Sequence, residues 1–64
     1  MTKKEAYNNL VAVANDTNDK FYTDWVSNLP LNDNKALKLS LLSLMMCNNY
    51  NICDATQNLI NAIG

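Results

Sequence analysis

The chain has no histidine and no arginine, one proline, and a single glycine at position 64. Each absence closes off a class of chemistry. Without histidine there is no imidazole to activate a serine or cysteine nucleophile. Two cysteines six residues apart, Cys47 and Cys53, fall short of the three or four converging ligands of a zinc site. With glycine only at the end, no glycine-rich loop can cradle a phosphate. Without arginine there is none of the bidentate phosphate recognition typical of nucleic-acid binders. The formal net charge is −1, and acids lie near the five lysines at positions 3, 4, 20, 35 and 38, so no basic stripe forms. The sequence therefore argues against an enzyme, a metal, a cofactor or a nucleic-acid partner.

Long apolar runs are also missing. The longest apolar-rich window, at 36–46, is interrupted by Lys38 and is too short to span a bilayer. No apolar segment follows the lysines of MTKKEAYNNL, so no signal peptide is expected. The expected location is the cytoplasm, where the two cysteines default to thiols. A Cys47–Cys53 disulfide would require an oxidising compartment.

What remains is 48% hydrophobic and 17% charged, a globular composition. Sixty-four residues make one small domain, expected to cover 1–64, and a chain this short buries only about 60% of its unfolded surface. Its core is therefore marginal unless something else covers it. Asparagine occurs twelve times, and lysine is the only basic residue, a pairing that hints at an AT-rich coding sequence.

The apolar pattern predicts an all-α fold, a compact bundle of four short helices at about 3–14, 18–28, 33–47 and 54–63. TKKE at 2–5 has the spacing of a capping box. Ala6, Tyr7, Leu10, Val11, Val13 and Ala14 then share one arc of the first helix. NDTND at 15–19 is turn and cap chemistry. Phe21, Tyr22, Trp25, Val26 and Leu29 share a face of the second helix, which Pro30 stops. Asn32 or Asp33 can cap the third helix, and NNYN at 48–51 ends it. DATQ at 54–57 reads as a second capping box, opening the fourth helix.

The third helix is the unusual one. LKLSL alternates like a strand, but the alternation slips at Leu41-Leu42, and leucine, methionine, alanine and lysine favour helix. As a helix it has a stripe of small residues, Ala36, Ser40, Ser43 and Cys47. One flank carries a ridge of Leu37, Leu41, Leu44 and Met45, and the other a ridge of Leu39, Leu42 and Met46. Two ridges need two covers, so this helix is expected to be central, with a second copy of the chain supplying part of the cover.

Leu39, Leu42, Met45, Met46, Tyr22 and Trp25 are the candidate contact residues for a dimer or a partner. The bland reading of the Phe21/Tyr22/Trp25 face is core. The sharper reading is a partner anchor, since tryptophan and tyrosine dominate binding hot spots. Asp16, Asp19 and Asp24 form the candidate acidic rim that would steer a basic partner. Asp16 and Asp19 also read as helix-start residues, and Asp24 as part of a solvated face.

The helix–NNYNI–helix segment resembles a helix-turn-helix, or the helix–loop–helix of small ubiquitin-binding-type domains. The first resemblance implies a DNA-reading dimer, yet its recognition helix DATQNLINAI has no positive charge. The reading carried forward is a homodimeric protein-binding module, of the kind encoded by phages and mobile elements, that inhibits a host protein or defence system by occlusion. A small helix-turn-helix regulator, or a cytosolic immunity or antitoxin protein, is the alternative.

Overall fold

Each of the four helices opens on a side chain that substitutes for a missing backbone acceptor. A computed structural model describes residues 1–46 and 48–64. It places α1 at Lys3–Asp16, α2 at Lys20–Ser27, α3 at Asn34–Leu44 and α4 at Tyr50–Ile63, with no strand among the described residues.

The capping box at the start of α1 forms in both directions. The Glu5 amide donates to Thr2 Oγ1, and the Thr2 amide donates to Glu5 Oε1, each at 3.1 Å. The Thr2 amide first, and then the Thr2 hydroxyl, hold the Glu5 carboxyl below its usual range. Asp19 caps α2 by accepting from the Phe21 amide at 2.9 Å. Asp33 caps α3 through the Ala36 amide, and Asn49 caps α4 through the Ile52 amide, both at 3.1 Å. Between α1 and α2 the chain reverses through Asn18, whose φ of 56° is left-handed backbone that asparagine tolerates.

The core is aliphatic. Ala6, Leu10 and Ala14 come from α1, Val26 from α2, and Leu29 from the loop that follows. Leu37, Leu41 and Leu44 come from α3, and Ile52, Ala55 and Leu59 from α4. In α1 and α3 these positions recur at spacings of three or four, as one buried stripe requires. The radius of gyration is 10.3 Å, against about 11 Å for a compact chain of this length. Two side chains tie distant segments together. The Tyr7 hydroxyl donates to the Val26 carbonyl at 3.2 Å. Lys3 Nζ donates to the Leu31 carbonyl and, at 2.7 Å, to Asn34 Oδ1.

Four expectations require correction. First, α3 is not central: among the described residues its backbone closely approaches only α4, while α1 approaches both α4 and α2. The middle of the bundle is the α1–α4 pair, where buried Ala6, Ala14, Ala55 and Thr56 remove the bulk that would hold two helices apart. Second, the small stripe of α3 is not a closed seam, since Ser43 is exposed and Ala36 and Ser40 are only half-buried. Third, α3 stops at Leu44 and α4 begins four residues earlier than expected. Asn49 wins over Asp54 as the cap because starting there also carries Ile52 into the core. Asp54 then lies inside the helix. Fourth, Asp16 is the last residue of α1 and not a helix-start residue. The expected packing of Cys47, and its pairing with Cys53, lie outside the described residues.

Candidate partner interface

The two ridges of α3 meet different environments. Leu37, Leu41 and Leu44 are buried, and Met45 is half-buried at the end of the helix. Leu39, Leu42 and Met46, on the opposite side, are 60%, 47% and 84% exposed. The cause is geometric. At about 100° per residue, Leu37, Leu41 and Leu44 centre on one side of the helix and the other three on the reverse side. With α4 the only helix among the described residues whose backbone approaches α3 closely, one ridge is covered and the other faces outward.

The aromatic face of α2 splits in the same way. Val26 and Leu29 enter the core, Tyr22 and Trp25 are half-buried, and Phe21 is 59% exposed. The expectation that the aromatics are core is therefore corrected for Phe21. The three rings form one cluster. Phe21 meets Tyr22 edge-on at 5.5 Å between ring centroids, and meets Trp25 at 5.8 Å with a tilt of 37°.

Between α2 and α3 runs an open groove. One end is lined by Asp24, Trp25, Asn28, Leu29 and Ser40, and the other by Ser43, Leu44 and Met46, with Phe21 and Trp25 common to both. The groove exists because α3 places Ser40 and Ser43 where larger side chains would fill the gap. The Ser43 hydroxyl bonds back to the Leu39 carbonyl at 3.3 Å, so the wall it forms is less polar than its composition suggests. Trp25 Nε1 is shielded from water with no hydrogen-bond partner among the described residues. An amide-like donor left in that state costs about 1–3 kcal/mol.

The three candidate rim acids have different surroundings. Asp24 lies in the groove, and Asp19 is committed to capping α2. Asp16 lines a separate depression between α1 and α4, with Asp54, Asn49, Asn51 and Asn58. Among the described residues, no three histidine, cysteine or acidic side chains converge as metal ligands, and no helix is long and apolar enough to cross a membrane. On α4, Gln57 Nε2 donates to Asn61 Oδ1 at 3.0 Å.

One surface feature escapes the sequence reading. Tyr50 is exposed at the first turn of α4, a position hidden by the misplaced helix start. The chain matches no family model, no curated protein and no solved structure.

Proposed function

We propose that this chain is a non-enzymatic protein-binding module whose contact surface is the outward face of α3 together with the aromatic edge of α2. The observation that carries this reading is the exposed apolar ridge Leu39–Leu42–Met46 beside exposed Phe21. A soluble domain rarely leaves a contiguous apolar patch to water unless something covers it in use. Phe21 and Trp25 supply the rigid aromatic area that anchors protein contacts at small entropic cost. The module acts by occlusion, covering a partner's surface and not altering it chemically. Its small size and asparagine- and lysine-biased composition fit an accessory protein of a phage or mobile element, working in the host cytoplasm against a host protein.

The test is affinity capture from a bacterial lysate with wild type and a Leu39→Asp/Leu42→Asp variant in parallel. Both positions face solvent, so the variant keeps its fold. A protein held stoichiometrically by the wild type and lost by the variant supports the reading. Equal retention by both places the contact elsewhere, and the absence of any stoichiometric partner in every plausible host sinks it.

A further inference from the structure

The α2–α3 face carries both halves of a contact. It has a ridge, Leu39–Leu42–Met46, and directly beside it a groove walled by Phe21 and Trp25 and lined by Ser40 and Ser43. A two-fold dimer requires a patch that is its own complement. A ridge and a groove side by side on one helix meet that requirement, since each copy can lay its ridge into the groove of the other. From this geometry we infer that the occupant of the groove is the α3 ridge of a second copy of this chain. The inference rests on the reading of this face as a protein contact and deepens it: a second copy covers the face until a host protein displaces that copy.

Dimensions, area and charge agree. From Leu39 to Met46 the ridge runs on the order of 10 Å, close to the length of the eight-residue α2 that walls the groove. The side chains of Leu39, Leu42, Met46 and Phe21 expose on the order of 500 Å², about an eighth of the 4148 Å² surface of the chain. A stable dimer buries roughly 600–1,000 Å² per partner, a range reached once the rim around the ridge and groove is included. The groove is lined by one acid, Asp24, with exposed Lys20 one turn before it on α2, and the ridge helix carries two exposed bases, Lys35 and Lys38. Exchanging ridge and groove brings opposite charges together, and does so twice across the two-fold. Ridge-to-ridge packing of two α3 helices would instead leave both grooves open and set lysines against lysines.

The experiment is sedimentation of the purified protein alone, so its outcome does not depend on finding a host partner. Leu42→Asp alters the ridge and Ser43→Lys alters the groove. Both side chains are exposed in the single chain, and circular dichroism confirms that each variant is folded. The wild type is expected to sediment as a dimer at high micromolar concentration. Each variant should bind itself roughly 100-fold more weakly, because each substitution occurs twice in a symmetric dimer. An equimolar mixture of the two variants should regain a dimer. One of its two contacts is wild type, and in the other the new carboxylate faces the new ammonium. A wild type that is monomeric throughout, a dimer that either variant leaves intact, or a mixture that stays monomeric overturns the inference.

Discussion

Leu41 and Leu42 are adjacent in sequence and identical in chemistry, yet the structure assigns them opposite consequences when cut back to alanine. Leu41 is fully buried. Its truncation removes the transfer energy of the lost carbons and leaves a cavity, about 2–5 kcal/mol together. A 64-residue domain has on the order of 3–10 kcal/mol of total stability, so Leu41→Ala should remove about a fifth or more of it. At about 4–8 °C per kcal/mol for a domain of this size, the melting midpoint falls by about 8 °C or more. Leu42 is 47% exposed, and its site opens to solvent. No cavity remains, about half of the transfer energy is at stake, and leucine and alanine are both good helix formers. Leu42→Ala should therefore cost only about 0.5–1 kcal/mol. The assay is thermal denaturation followed by circular dichroism, at roughly 1 µM so that any self-association adds little. Equal losses for the two variants would refute the assignment of buried and outward faces on α3.

Three further outcomes test the internal construction. Thr56 is completely buried, and its Oγ1 has no hydrogen-bond partner among the described residues, so Thr56→Val should raise stability by about 1 kcal/mol in denaturant unfolding. Asn49→Ala removes the cap that sets the true start of α4 and should cost about 1 kcal/mol, whereas Asp54→Ala, inside the helix, should cost less by the same measurement. Glu5 has a lowered folded-state pKa, so its contribution is present above the ordinary glutamate range and is lost as pH falls through the folded value. Helix content followed by circular dichroism against pH should show an acid loss near the start of α1, and Glu5→Gln should remove that part of the pH dependence.

Much of the fold was legible in the sequence because local rules decided it. The Thr2–Glu5 box, the break at Pro30 and the caps at Asp19 and Asp33 each depend on neighbours within a few residues. The start of α4 was misread because two cap signals compete there, and the choice turns on whether Ile52 reaches a core built mostly from distant segments. The position of α3 was misread for a related reason. Apolar residues on nearly every side imply that a helix needs cover, but not which helix supplies it. Close approach went to α1 and α4, whose buried Ala6, Ala14 and Ala55 permit it. The two-ridge division of α3 was legible from helical phase alone, including which leucines oppose which. That Leu39, Leu42 and Met46 are the exposed set depends on α4 covering the other side, a tertiary fact.

The central claim is that the α2–α3 face is where this protein meets a second copy of itself. Its most direct test is a dilution series followed by backbone amide shifts in heteronuclear NMR, from high to low micromolar concentration. The account predicts shifts confined to α2 around Phe21 and Trp25 and to α3 from Ser40 to Met46, with α1 and the exposed face of α4 unmoved. Shifts centred on the Asn9, Asp16 and Asn58 depression, or no shifts at any concentration, would contradict it.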